Sequence, residues 1–191
     1  MREPLNIGFA MCGSYCTFDA VIPQIMALVD KGYNVIPIFS DNAYKTDTKF
    51  GKAKDFVDTV EKICDKKVIK SINEAEPIGS KGLLDILVIA PVTGNTLAKL
   101  ALGITDTSVT MAAKAHLRNQ RPVLLGISSN DALGANAKNI GALINTKHIF
   151  IVPYKQDDPL KKTSSLVSDM KLIEPAIFFA LENKQMQPIL L

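Results

Sequence analysis

The sequence predicts an α/β protein: a three-layer, doubly wound parallel sheet of the Rossmann-like kind, built as one domain over residues 1–191. Three observations point there. Short β-like runs alternate with helical stretches along the chain, the βαβα order of an open parallel sheet. Three of those runs, 84–90, 123–127 and 148–152, are almost continuously apolar, as strands covered by helices on both faces are. No linker, repeat or low-complexity segment divides the chain.

The elements follow in order. Residues 5–11 read as a first strand, and 18–31 as an amphipathic helix with Val21, Ile25, Leu28 and Val29 toward one side. Gly32 suits the C-terminal cap of that helix. Residues 34–39 form a second strand, which Pro37 places near a sheet edge or an irregularity. A helix over 51–65 carries Phe56, Val60 and Ile63 on one stripe. After a polar passage at 71–81 comes the third strand, 84–90, then helices over 96–102 and 108–118. The fourth strand, 123–127, a helix over 135–143 and the fifth strand, 148–152, follow, and a helix over 165–181 closes the fold.

Composition narrows the function classes. With 47% hydrophobic and 21% charged residues the chain has the means to bury a core, which excludes disordered and collagen-like chains. No apolar run approaches the ~18–20 residues of a membrane span. The stretch from Leu5 to Met11 is too short for a signal peptide, so a cytoplasmic location is expected. A net charge of +3, without a basic block or interleaved aromatics, argues against nucleic-acid binding and suits anionic small molecules or plain solubility. Cys12, Cys16 and Cys64 form no CxxC pair, which fits a reducing compartment and offers no zinc site. With His116 and His148 as the two histidines, a multi-histidine metal centre is not expected.

Ligands of such sheets gather at the carboxyl ends of the strands, so the residues just after each strand carry the search. After the first strand, Gly13 and Ser14 precede a helix and make a phosphate cradle or a tight turn. No G-x-G-x-x-G and no P-loop lysine is present. After the second strand, Ser40 can hydrogen-bond a ring or phosphate or serve as a cap, and Asp41 stands where a dinucleotide fold holds ribose hydroxyls. After the third, Thr93, Asn95 and Thr96 open a helix; a cap needs one of them, and three together favour a site for an anion or the edge of a flat heterocycle. After the fourth come Asn130, Asn136 and Asn139, amides that read a carboxylate or merely shape a turn. The thiols of Cys12 and Cys16 lie far in sequence from both histidines and are expected to be structural or incidental rather than catalytic.

These residues resemble the homo-oligomeric flavin-containing cysteine decarboxylase family, which includes phosphopantothenoylcysteine decarboxylases and prenyl-flavin synthases. The resemblance runs from about residue 5 to 153. It rests on Gly8…Gly13-Ser14, on Ser40-Asp41-Asn42-Ala43, and above all on Ala90-Pro91 through Asn95-Thr96-Leu97-Ala98-Lys99 to Gly103-Ile104-Thr105-Asp106. A dipicolinate-forming branch of the family is similar over nearly the whole chain. Its likeness lies in 129–141, 143–147, 152–159, 161–162, 164–167 and the ending Gln185-Met186-Gln187-Pro188-Ile189-Leu190. Two departures disfavour decarboxylation. No histidine lies between Ser40 and Ala90, where those enzymes place a catalytic one, and Ile127-Ser128-Ser129-Asn130 replaces their Pro-x-Met-Asn segment.

The resemblance implies a Rossmann-like flavoprotein fold, with Gly13, Ser14, Ser40, Thr93, Asn95 and Thr96 around a flavin such as FMN. It implies work in the mother cell of a sporulating bacterium: two-electron oxidation of a dihydrodipicolinate-like precursor to pyridine-2,6-dicarboxylate. The A component of a dipicolinate-forming enzyme would be a separate partner chain carrying most of the NAD(P) binding, and this chain would self-associate in trimers. The dicarboxylate would find partners in Lys99, Arg121, Asn130 and Asn136, Arg121 being where the prenyl-flavin branch places a ligand-contacting arginine. Catalytic residues are not identified. Two rivals stand beside this expectation: a free-standing flavin decarboxylase or prenyltransferase, and a non-catalytic scaffold component.

Overall fold

The computed structural model describes residues 4–191. Strands β1 (Asn6–Met11), β2 (Asn34–Phe39), β3 (Ile86–Val92), β4 (Val123–Ser129) and β5 (Ile149–Ile151) alternate with helices. After β1 a 3-10 turn, Tyr15–Thr17, runs into α1 (Phe18–Asp30). After β2 come α2 (Asp41–Lys45), α3 (Ala53–Cys64), α4 (Ile72–Ala75) and α5 (Pro77–Ser80). Helices α6 (Gly94–Ala101) and α7 (Ser108–Leu117) join β3 to β4, and α8 (Ala137–Ile144) joins β4 to β5. A hairpin of β6 (Tyr154–Asp158) and β7 (Lys162–Ser168) precedes the last helix, α9 (Ile173–Leu181).

The sheet runs β2-β1-β3-β4-β7-β6, with β5 also against β4. Strands β1 to β5 are mutually parallel where they pair. β4 divides its far side between two partners. Its first half, Val123–Leu125, lies beside β5, and its last residues, Ser128 and Ser129, lie antiparallel to Val167 and Leu166 of β7. The strand order reverses between β1 and β3, so the crevice of this topology opens at the carboxyl ends of those two strands.

Alternation along the strands builds the three layers. Ile7, Phe9 and Met11, with Ile86, Val88 and Leu124, face α1, α3 and α9 through Phe18, Ile25, Val60 and Ile177. Ala10, Leu87, Ile89, Leu125 and Ile127 face α6, α7 and α8 through Leu97, Val109, Ala112 and Ile140. Gly32, at φ +84°, terminates α1 in the left-handed conformation that its missing side chain permits.

Pro37 does sit in the outermost parallel strand. Phe39 N, two residues on, donates away from β1 to Ile69 O, so the N–H that Pro37 lacks would also have faced outward, and no β1–β2 bond is lost.

One expectation is overturned. Residues 165–168 belong to strand β7, and the closing helix begins at Ile173. The turn before β7 is built by Asp158, whose Oδ1 accepts from Leu160 N at 3.2 Å and Lys161 N at 3.1 Å. Ser168 then stitches β7 into the core, donating to Val152 O and accepting from Ile127 N, both at 2.9 Å. No helix among the described residues is long and apolar enough to cross a membrane.

Candidate functional site

The loops after β1, β3 and β4 meet above the crevice. Ser14, in the β1 loop, places Oγ 2.7 Å from Ser128 Oγ at the end of β4, and Thr17 Oγ1 lies 2.7 Å from the same oxygen. Thr17 and Ser128 are buried. Ser14 Oγ and Thr17 Oγ1 also approach each other at 3.4 Å, so the third hydroxyl hydrogen is held only by that long contact and can turn to an acceptor arriving from outside. The β2 loop is tied to the same rim: Tyr15 Oη donates to Asn42 O at 2.7 Å, and Ser40 N donates to Met11 O at 3.0 Å.

After β3, Thr93 is the N-cap of α6 and its Oγ1 accepts from Thr96 N at 3.4 Å. Thr96 Oγ1 in turn donates to Cys12 Sγ at 3.4 Å, which links the β1 and β3 ends across the switch point. Burial pushes the Cys12 thiol up to about 11, against the opposing pull of its bonds to Thr96 and Thr93. At neutral pH it is a protonated, inert sulfur. Asn95 is exposed on the first turn, beside the backbone N–H groups that a helix start leaves without intrahelical partners.

A second polar network packs against the start of α6. Ser129 Oγ donates to Asp131 Oδ1 and Asn136 Nδ2 donates to Asp131 Oδ2, each at 2.7 Å, while Asn139 Nδ2 donates to Asn136 Oδ1 at 2.8 Å. The Ser129 hydroxyl, seconded by the Asn136 amide, holds the Asp131 carboxyl below its ordinary range. These side chains crowd Gly94, where a Cβ would lie 2.5 Å from Asn136 Nδ2, 2.7 Å from Asp131 Oδ1 and 2.8 Å from Ser129 Oγ.

The sequence-predicted residues divide accordingly. Gly13, Ser14, Thr93, Asn95 and Thr96 come together at the crevice. Ser40 flanks it as the N-cap of α2, its Oγ accepting from Ala43 N at 3.3 Å. Asn130 is exposed just after β4, and Ser165 Oγ approaches its Oδ1 at 3.5 Å. Asn136 spends both ends of its amide inside the network. Lys99 stands near the far end of α6, with Nζ 2.8 Å from each oxygen of Asp106. Arg121 is not brought to the crevice of its own chain. It precedes β4, at the amino end of the sheet, where its guanidinium donates to Gly82 O and Leu84 O.

Sequence reasoning did not single out Thr17, Ser128, Ser129 or Asp131. The available signal was a serine pair closing an otherwise apolar strand run.

A model described as Flavoprotein matches residues 1–173. The chain belongs to the Flavoprotein family. Within that family it is 50% identical over 185 residues to the B subunit of dipicolinate synthase of Bacillus subtilis (strain 168), covering 97% of this chain and 92% of the relative. The crystal structure of the B subunit of dipicolinate synthase from Bacillus halodurans C superimposes with a TM-score of 0.90 at 43% identity, over 100% of this chain and 98% of the other. DmrB from Burkholderia xenovorans, at 18% identity and a TM-score of 0.69 over 95% and 98% of the two chains, shares the fold. The Rossmann-like flavoprotein fold is thereby shown.

Proposed function

We propose that this chain is the B component of a two-component dipicolinate-forming enzyme, and that its strand-end crevice holds a flavin of the FMN type. The observation that carries the flavin reading is the Ser14–Ser128–Thr17 hydroxyl cluster at the switch point, with both Thr17 and Ser128 buried. Hydroxyls that bond mainly one another can turn their hydrogens to a phosphate without leaving a buried charge behind. The neighbouring wall suits the ring. Thr93 and Asn95 offer polar atoms at the start of α6, and Cys12, neutral at working pH, adds no charge beneath it. Support also comes from the family match, and from DmrB, whose structure is described as a complex with FMN and as a cubic cage for redox transfer. A cage of that kind favours self-association here too.

The reaction follows from the similarity to the B subunits of dipicolinate synthases. A dihydrodipicolinate-type ring loses a hydride to NAD(P)+ and a proton to solvent, giving pyridine-2,6-dicarboxylate and NAD(P)H. Aromatisation supplies driving force, so the protein's task is to orient ring and acceptor and exclude competing routes. A bound flavin supplies a two-electron redox ring. The residues after β1 and β2 form no dinucleotide fingerprint, which favours a separate A component as the carrier of NAD(P). The setting is the cytoplasm of a sporulating mother cell.

Two measurements test this. Titrating the purified chain with FMN should give saturable binding that Ser14→Ala and Ser128→Ala each weaken about tenfold, as loss of a charge-assisted hydrogen bond does. Unchanged affinity in both variants removes the placement. Mixing this chain with the A component should yield NAD(P)H from precursor where neither does alone, and robust turnover by this chain alone refutes the division of labour.

A further inference from the structure

The margins of the sheet are closed by different means. Along the outer side of β2 the closure is main chain: Phe39 N donates to Ile69 O and Ile69 N to Pro37 O, both at 2.9 Å. β6 carries Lys155, Asp157 and Asp158, charges of the kind that keep an edge from pairing. β5 has neither device. It reads Ile-Phe-Ile and pairs with β4 alone. Val152 N donates to Leu125 O at 2.9 Å and Val123 N to His148 O at 2.8 Å, so even-numbered residues bond to β4, and Ile149 and Ile151 turn their N–H and C=O outward. Ile149 N is taken by Thr146 O at 3.2 Å. Both groups of Ile151 go to one side chain: its N–H donates to Gln185 Oε1 at 2.8 Å, and its O accepts from Gln185 Nε2 at 2.6 Å. A primary amide offers a donor and an acceptor side by side, as the backbone of a neighbouring strand does. Beyond Gln185 the segment reaches β6, where Tyr154 N donates to Ile189 O and Leu191 N donates to Tyr154 O, each at 3.0 Å. It is lightly held. Met186 and Ile189 pack against the two cores, whereas Gln187, Pro188, Leu190 and Leu191 are exposed.

We propose that Gln185–Leu191 is a displaceable strap over a strand-addition edge, and that what it holds off is β5 of a second copy of this chain. An uncharged Ile-Phe-Ile edge is its own complement. Two copies about a two-fold axis pair antiparallel there, with Ile149 of one opposite Ile151 of the other and no like charges to oppose them. The strap confines self-association to other faces of the molecule, and its release opens this one. Its action is independent of what the crevice holds.

Hydrogen exchange and sedimentation of the full chain and of Gln185→Ala test this. In the wild type the Ile151 amide should exchange as slowly as that of Val152, although it lies on the outer side of the strand. Gln185→Ala should speed exchange at Ile151 about tenfold or more while Val152 keeps its protection. It should also add a concentration-dependent species of twice the wild-type mass. A synthetic peptide of residues 147–153 should bind Gln185→Ala and suppress that species, and should not bind the wild type. Circular dichroism checks the fold, and Gln185→Glu, which keeps an acceptor and loses the donor, takes the place of the alanine variant if that one does not fold. Fast exchange at Ile151 in the wild type, or wild-type binding of the peptide, overturns the proposal. Unchanged exchange at Ile151 in the variant overturns it as well. So does a variant whose Ile151 is freed but which keeps the wild-type mass and takes no peptide. A larger species that the peptide leaves intact assigns the assembly to another face, with the same consequence.

Discussion

Gly94 opens α6 in a position where alanine would ordinarily be the better residue. Replacing a helical glycine by alanine gains about 0.5–1 kcal/mol from reduced backbone entropy. Here the added methyl meets three polar atoms at 2.5, 2.7 and 2.8 Å, all closer than real Cβ contacts come. None of the three can retreat alone. Asn136 is buried and bonded at both ends, and Ser129 and Asn136 both hold the Asp131 carboxylate. Accommodating the methyl therefore means overpacking at about 1–3 kcal/mol. It also means breaking at least one hydrogen bond to a charged group, at about 1.5–3 kcal/mol. Set against the helix gain, Gly94→Ala should destabilise the fold by about 1.5–5.5 kcal/mol. The control is Gly141→Ala in α8, where nothing lies within 4 Å of the new atom, and which should stabilise the protein by about 0.5–1 kcal/mol. Urea unfolding of both variants gives the comparison. Truncating Asn136 removes the closest contact, so Asn136→Ala combined with Gly94→Ala should fall short of additivity by about 1 kcal/mol or more. A Gly94→Ala protein as stable as wild type would show that the network yields freely, and the steric reasoning would be wrong.

Further predictions concern titration and reactivity. His116 is buried on α7, its Nε2 has no hydrogen-bond partner, and burial, aided by the Arg121 charge, lowers its pKa from 6.5 to about 4. The unfolded chain therefore takes up this proton first. The stability attached to the neutral ring is whole above pH 6.5 and falls as the pH drops toward 4, by about 3 kcal/mol in all. His116→Gln should flatten that part of the pH–stability curve, and an unaltered slope between pH 6.5 and 4 would contradict the assignment. Among the thiols, Cys12 and Cys64 are buried with pKa values raised to about 11, whereas Cys16 is exposed. A disulfide reagent at pH 8 should label one thiol per folded chain and three after denaturation. Two fast-reacting thiols in the native protein would count against this.

How much of the fold was legible depended on where apolar side chains fall. The central strands announce themselves because both faces of β1, β3 and β4 are covered, so that almost every residue is apolar and the run stands out from its surroundings. Pro37 marked the outer parallel strand because a missing N–H is tolerated where it faces away from the ladder. β7 gave no such signal. Its residues read Lys-Thr-Ser-Ser-Leu-Val-Ser, exposed at the start and buried at the end, and serines do the joining that apolar side chains do elsewhere. Ser168 bridges Val152 and Ile127 through one hydroxyl, a role that depends on the fold being already assembled. Reading 165–181 as one helix ignored the Asp158-Pro159 turn just upstream, the local chemistry most able to announce a hairpin.

The site was legible in its positions and less so in its partnerships. Strand topology places Gly13, Ser14 and Thr93–Thr96 at the crevice, because loops after neighbouring parallel strands have nowhere else to meet. What a side chain does there depends on which internal partner reaches it first. Asn136 has the chemistry to read a carboxylate, and the carboxylate it reads is Asp131, five residues before it. Lys99 has the charge to bind an anion, and Asp106 takes it. Arg121 leads into the right strand at the wrong end. In each case residue type gives the capability and the nearest internal partner decides whether any of it remains for a ligand. By that criterion the Ser14–Ser128–Thr17 cluster, whose third hydrogen is held only by the 3.4 Å contact between Ser14 and Thr17, is the group with most capacity left to give.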